Sequence, residues 1–272
     1  MGAGAVSGGS NLESTDVSQA AQVEPRTAER RRSALRTVVI VPALNEEQTV
    51  GRVVDELRAF DPELEVVVID DGSTDGTALV AAQHGAQVIR LPFNLGVGGA
   101  MQTGFRYAFQ AGFDAAVQVD GDGQHDPAEL PKLLVPLQQD RADIVVGSRF
   151  AGTRTYRAPF FRRLGIALFA RTISLIARQR VTDTTSGFRA MNRHGIALFA
   201  ADYPHDYPEV EATVMVVRHE LRLLEVSVEM RYRVAGRSSI TASNSAYYMI
   251  KVLLAIFVSL FRRNVVPLKE ET

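Results

Sequence analysis

The sequence predicts an α/β fold built on a mainly parallel sheet flanked by helices, and three observations predict it. Apolar runs such as Thr37-Val38-Val39-Ile40-Val41-Pro42 and Glu65 to Ile69 are continuous rather than alternating, the pattern of strands buried on both faces. These runs alternate with helical segments at short intervals, as βα units do. Polar residues able to do chemistry gather just past the apolar runs, where open parallel sheets bind ligands.

The elements follow in order. Residues 1–34 are Gly, Ala, Ser, Gln and charge without hydrophobic period, which predicts a disordered tail. A secretory signal needs a basic start and an apolar core, and neither is there. After the first strand, Asn45-Glu46-Glu47 can cap and charge a helix running to about Ala59. The second strand ends at Asp70-Asp71-Gly72-Ser73. A helix over Ala78 to Gln83, a short strand over Gln87 to Arg90, a Gly-rich turn and a helix from about Gly98 to Ala111 come next. Strand Ala115 to Val119 ends at Asp120-Gly121-Asp122, and a helix near Ala128 to Gln139 leads to strand Ile144 to Gly147. The strand ends therefore carry Asn45, Asp70, Asp71, Asp120, Asp122 and Arg149, one site assembled from separate loops. Beyond Phe150 the pattern changes to a long apolar helix over 160–178 with Arg163, Arg171 and Arg178 on one face. A loop over Thr182 to Arg189, a helix, and a strand over Glu225 to Tyr232 follow. The stretch from Tyr247 to Phe261 is apolar apart from Lys251 and Ser259 and ends in Arg262-Arg263. It is shorter than the roughly 20 residues of a membrane span. It suits a membrane surface, a partner's groove or a homodimer contact, or it packs on its own domain.

Composition narrows the function. The 272 residues, 46% hydrophobic and 22% charged, can bury a full core, which excludes wholesale disorder and a multi-span membrane protein. The absence of Cys excludes a disulfide scaffold, a thiol nucleophile and Cys-ligated metal, and it fits a reducing compartment. A net charge of −1 speaks against a general nucleic-acid binder, but the average hides a split. From Thr37 to Asp143 there are 17 acidic residues against 6 basic ones, and from Arg149 to Arg237 there are 15 Arg against 8 acidic residues. The first half suits a cation and the second an anion.

Asp120 and Asp122, at i and i+2 past a strand, can both face a hard divalent cation, with Gln124 and His125 near enough to add a ligand. A solvated acidic turn is the plainer reading of the pair alone. An EF-hand loop starting at Asp120 would need Gly sixth and Glu twelfth, where His125 and Pro131 stand. An aspartyl-phosphate phosphatase would want the motif on the first strand and a downstream lysine, with only Lys132, Lys251 and Lys269 on offer. Asp70 and Asp71 can accept hydrogen bonds from a base or a ribose, while Ser73 or Asp75 can cap a helix, and both readings can hold together. Gly96-Val97-Gly98-Gly99 does not follow the first strand, so it suits a loop against a nucleotide or its sugar better than an NAD fingerprint.

The order of the motifs carries more than any one of them. Val41-Pro42-Ala43-Leu44-Asn45-Glu46-Glu47, Val68 to Thr77, Asn94-Leu95-Gly96, Asp120 to His125 and Gly147-Ser148-Arg149 closely resemble family 2 glycosyltransferases of the GT-A fold. Asp183-Thr184-Thr185-Ser186-Gly187-Phe188-Arg189, with Glu225 to Val228 before Arg231 to Arg237, is similar to the dolichol-phosphate mannosyltransferase and polyprenyl-phosphate glycosyltransferase branch. The resemblance covers roughly Thr37 to Ile240. The chain then divides into a tail over 1–34, which is not a feature of the family, a GT-A domain over 35–240 and an apolar C-terminal helix over 241–272.

That resemblance implies an inverting transferase moving a hexose from a nucleoside diphosphate-sugar, of the GDP-mannose or UDP-glucose type, to a polyprenyl phosphate. It places the nucleotide-sugar on Pro42, Ala43, Asn45, Glu46, Asp70, Asp71, Gly96 and Asp120, and Mg²⁺ or Mn²⁺ on Asp120, Asp122 and Gln124. Asp122, Arg149, Arg189 and Arg233 become the catalytic candidates, and Ser186, Arg231 and Arg237 the acceptor-phosphate contacts. The multi-span C-terminal domain of some relatives is absent, so attachment to the cytoplasmic face of the membrane falls to the helices over 160–178 and 247–261. An ionised phosphate monoester needs no strong base, whereas a sugar hydroxyl acceptor, the alternative, would need a carboxylate such as Glu209 or Glu211.

Overall fold

A computed structural model describes residues 1, 35–149, 171, 182–183, 185–231, 251, 254 and 266–268. The expected tail over 1–34 (save Met1), the helices over 160–178 and 247–261 (save Arg171, Lys251 and Leu254), and Arg233 and Arg237 lie outside the described residues.

The described chain runs β1 (Thr37–Ala43), α1 (Val50–Phe60), β2 (Glu65–Asp70), α2 (Thr77–Gln83), β3 (Gln87–Arg90), α3 (Gly96–Gln110), β4 (Ala115–Gln118), a 3₁₀ turn (Pro127–Glu129) and α4 (Leu130–Gln138). It continues through β5 (Ile144–Ser148), β6 (Arg189–Asn192), α5 (Arg193–Ala201), α6 (Pro208–Arg218) and β7 (Leu223–Ser227). The seven strands form one sheet in the order β3-β2-β1-β4-β6-β5-β7. All pairings are parallel except those of β6, which runs antiparallel to both β4 and β5.

Continuous apolar strands end up buried on both faces, as expected: Val38 to Val41 of β1 and Val67 to Ile69 of β2 have no exposed surface. Helix α3 packs tightly on the Ile40 side chain of β1, since a Cβ on Gly104 would sit 2.4 Å from Ile40 Cγ2. Phe105 of α3 meets Phe199 of α5 at 5.3 Å and Tyr203 at 5.2 Å between ring centroids, joining the two helices through an aromatic cluster. The register pairs Ala43 with Asp70, so β1 and β2 deliver their loops side by side at one rim.

Three expectations are corrected. Helix α1 starts at Val50, not near Asn45, because Asn45 adopts a left-handed backbone (φ 54°) and its side chain is spent on a neighbouring loop. Residues Arg189–Asn192 form a strand that the sequence did not announce, since four residues wedged between two strands need no periodicity of their own. The last strand ends at Ser227 rather than Tyr232. Beyond it, Met230 forms an isolated antiparallel bridge with His125.

Candidate active site

The site lies where β1, β2 and β4 end. Asn45 N–H donates to Ser73 Oγ at 2.9 Å and its Oδ1 accepts Thr74 N–H at 2.9 Å, so the β1 and β2 loops are stitched together. Glu46 N–H donates to Thr77 Oγ1 at 2.9 Å, and its carboxylate accepts the Thr49 hydroxyl at 2.6 Å. Asp71 N–H donates to Ala43 O at 2.9 Å, while Asp71 Oδ1 accepts Leu95 N–H at 2.7 Å and ties in the loop before α3. Gly96 needs its glycine for conformation (φ 78°), and a Cβ there would meet nothing within 4 Å.

Asp70 is fully buried: Oδ1 accepts Ser73 N–H at 2.9 Å, and Oδ2 has no hydrogen bond, facing Arg90 Nε at 3.3 Å. A buried acceptor without its hydrogen bond is costly unless something supplies a donor. Gly72, Ser73, Arg90, Leu91 and Pro92 line a cavity of about 410 Å³ beside it. Arg90, on the edge strand, was missed by the motif reading; a lone charge at the end of a short strand gave no signal of its own.

Asp120 and Asp122 come together on the loop after β4. Asp122 is nearly buried and its Oδ1 accepts Gln124 N–H at 3.0 Å. Asp120 N–H donates to His125 Nδ1 at 3.0 Å, and Asp120 Oδ2 faces His125 Nε2 at 3.6 Å. His125 is therefore committed to holding the loop rather than offering a ligand. Burial pushes its pKa down to about 4, so the ring is neutral at pH 7, stacked on Phe188 at 4.6 Å.

Two hard carboxylates suit a cation that keeps waters and shares substrate phosphates. The wall beside them is backbone, since a Cβ on Gly187 would stand 3.1 Å and 3.2 Å from the Asp120 carboxylate oxygens. Among the described residues no group of three His, Asp or Glu side chains converges, so a cation here would complete its shell from water and phosphate. The residues fit that use.

Arg149 forks onto Asp183, Nε–Oδ2 at 2.8 Å and Nη2–Oδ1 at 3.0 Å, and Nη2 also reaches Thr185 Oγ1 at 2.8 Å. Burial alone would raise the Asp183 carboxyl, but the Arg149 fork holds it below the ordinary carboxylate range. Glu225 of β7 accepts Thr182 and Asp183 N–H, each at 2.9 Å, and pins the same loop. Asp183 and Glu225 sat inside quoted motifs without an assigned role; the structure makes them the frame for Arg149.

Three further candidates are engaged with protein groups. Ser186 is buried with Oγ donating to Gly147 O at 2.6 Å, which staples its loop to β5. Arg189 is 2% exposed and donates to Ser186 O at 2.8 Å and Glu209 O at 2.6 Å, so it braces the chain between β6 and α6. Arg231 lies against Glu56 and Asp126. Glu209, half-buried in the first turn of α6 near Arg189, Asp120 and Arg149, has its pKa raised by desolvation. Glu211 Oε1 accepts Tyr207 N–H at 3.2 Å and serves the helix start.

Comparison with known proteins identifies a family and a fold. The family model described as glycosyl transferase family 2 matches residues 38–198. The polyprenol monophosphomannose synthase of Mycolicibacterium smegmatis is 30% identical over 244 residues, covering 86% of this chain and 91% of the relative. The undecaprenyl-phosphate mannosyltransferase of Micrococcus luteus is 31% identical over 219 residues, 76% of this chain and 88% of the relative. Among solved structures, glucosyl-3-phosphoglycerate synthase from Mycobacterium tuberculosis, in complex with Mn²⁺, UDP and glucosyl-3-phosphoglycerate, shares the fold. Its TM-score is 0.64 at 23% identity, covering 84% of this chain and 82% of that one.

Proposed function

The chain belongs to glycosyl transferase family 2, and we propose that it moves a hexose from a nucleoside diphosphate-sugar to a polyprenyl phosphate at the cytoplasmic face of a membrane. The observation that carries the proposal is the rim itself: Asp70, Asp71, Asp120 and Asp122 on one side and the braced Arg149 on the other, in a chain similar throughout most of its length to enzymes named for lipid-phosphate acceptors.

Asp70, whose Oδ2 faces Arg90, and Asp71 receive the base and ribose. Pro42, Ala43, Asn45, Glu46 and Gly96 shape the floor beneath them. Asp120 and Asp122, with Gln124 beside them, would hold Mg²⁺ or Mn²⁺, which supplies charge neutralisation for the departing diphosphate. The acceptor phosphate is ionised at pH 7, so no residue of the chain need take a proton from it. One of its oxygens bonds to the anomeric carbon as the carbon–oxygen bond to the diphosphate breaks. The nucleoside diphosphate leaves with the electron pair, and the configuration inverts. The chain's share is positioning two anions against each other, for which Arg149, Arg233 and Arg237 are the cations assigned.

A donor screen tests this. Full-length chain with Mn²⁺ and a short polyprenyl phosphate is incubated with GDP-mannose, UDP-glucose and UDP-N-acetylglucosamine in turn, and nucleoside diphosphate release is counted. Release is expected to require the lipid phosphate and to vanish in Asp122→Ala. Donor binding without lipid-dependent turnover favours the second reading, a sugar hydroxyl acceptor. One observation recommends that alternative: Glu209, a half-buried carboxyl near Arg189, Asp120 and Arg149, has its pKa raised by desolvation, the direction that suits a general base.

A further inference from the structure

The segment from Val228 to Arg231 leaves the sheet and runs beside the loop that carries the two aspartates. Arg231 N–H donates to Gln124 O at 2.9 Å, and Gln124 N–H donates to Asp122 Oδ1 at 3.0 Å. Two hydrogen bonds and one residue thus connect Arg231 to the carboxylate. The Arg231 side chain locks that link: its guanidinium meets Asp126 at 3.2 Å (Nε–Oδ2) and 2.9 Å (Nη2–Oδ1), and Glu56 of α1 through Nη1. A planar fork held by carboxylates from two elements has one orientation, which a point charge on a flexible stem would not have. Glu229 N–H to Glu129 Oε2 at 3.1 Å is a second pin on the same segment.

We infer that Arg231 is a positioning residue for the cation site: it holds the Asp122 carboxylate through Gln124 and does not itself bind the acceptor phosphate. This rests on the reading of Asp120 and Asp122 as cation-holding groups. Two carboxylates from separate elements hold this guanidinium, where Asp183 holds that of Arg149, and the main-chain link to Asp122 is in place without any ligand.

The test is Mn²⁺ affinity of the full chain, followed by electron paramagnetic resonance in the presence of GDP and, separately, UDP. Arg231→Gln, Arg231→Lys and Asp122→Ala are compared with the wild type, and thermal midpoints report folding. Arg231→Gln is expected to weaken Mn²⁺ by about tenfold or more, the lower range for partners that orient ligands. The electrostatic effect runs the other way, because removing the cation leaves Glu56 and Asp126 uncompensated and would tighten Mn²⁺. A weakening therefore reports geometry. Arg231→Lys keeps the charge and loses the fork, so it should weaken Mn²⁺ in the same direction by less, and it decides the matter if Arg231→Gln fails to fold. The KM for a short polyprenyl phosphate should stay at the wild-type value in Arg231→Lys. Wild-type Mn²⁺ affinity in both Arg231 variants, or a raised lipid KM with unchanged Mn²⁺ affinity, overturns the inference. Unchanged affinity in Asp122→Ala would instead remove the cation reading on which it rests.

Discussion

At Gly187 a single hydrogen atom in place of a methyl group decides whether Asp120 keeps its place. An added Cβ would lie 3.1 Å from Oδ1, 3.2 Å from Oδ2 and 3.2 Å from Gln118 Nε2, closer than ordinary contact to all three. The carboxylate is the part that can yield, so Gly187→Ala should shift Asp120 while leaving the strands intact. Turnover is expected to fall about 10- to 100-fold, as for other displaced metal-ligand environments, with little change in the thermal midpoint; steady-state kinetics beside a melting curve checks it. Arg189 makes the opposite prediction. Its guanidinium is buried and spent on the carbonyls of Ser186 and Glu209. Arg189→Ala leaves those acceptors unsatisfied and opens a cavity, which costs about 3 kcal/mol or more. A chemical denaturation midpoint should therefore drop clearly, whereas a phosphate ligand at the site mouth would lose activity with its stability unchanged.

At the level of elements, the rim opposite the site is held by charge. Asp143, just before β5, accepts from Arg222 Nε at 3.0 Å and Nη2 at 2.9 Å, from Arg222 N–H at 2.8 Å and from Asn192 Nδ2 at 2.8 Å. This joins the starts of β5 and β7 to the end of β6. The Arg222 hydrogen bonds hold the Asp143 carboxyl well below the ordinary carboxylate range. Its folded-state pKa lies below the unfolded value near 3.9, so its contribution is complete above that value and is lost as pH falls through and below it. Melting curves at neutral pH and near pH 3 should show Asp143→Asn less stable than wild type at neutral pH, with the gap narrowing in acid. The elements themselves were unequally legible. β1, β2 and β4 declare themselves because a strand buried on both faces must be apolar throughout, and their ends then locate Asp70, Asp71, Asp120 and Asp122. β6 does not, because Arg189-Ala190-Met191-Asn192 is shaped by β4 and β5 on either side. The start of α1 was misplaced for a related reason: Asn45 looks like a cap, but its side chain bonds to the β2 loop, a partner 29 residues away. The pairing of Arg149 with Asp183, 34 residues apart, was hidden in the same way. Contacts local in sequence could be read, and contacts made by tertiary packing could not.

Across the whole molecule the charge is divided rather than absent. Net charge is −1, yet 15 Arg face 8 acidic residues between Arg149 and Arg237. Of those arginines, Arg149, Arg189, Arg222 and Arg231 are already engaged with protein groups in the structure. Among the described residues no helix is long and apolar enough to cross a membrane. If the acceptor is a polyprenyl phosphate, the chain must nevertheless reach a lipid surface. Exposed arginines on an anionic surface give attraction of about 1 kcal/mol each, and salt screens it within a Debye length of about 10 Å. Buried apolar side chains of an interfacial helix are not screened in that way. The full chain should therefore co-sediment with vesicles carrying anionic phospholipid and bind neutral vesicles less. Raised salt should release it only in part if the apolar stretches over 160–178 and 247–261 insert, and wholly if arginine alone provides the attachment. A chain that stays in the supernatant with both kinds of vesicle could not collect a long-chain lipid phosphate efficiently. That result would shift the assignment to a soluble hydroxyl acceptor, and Glu209 would become the first residue to mutate.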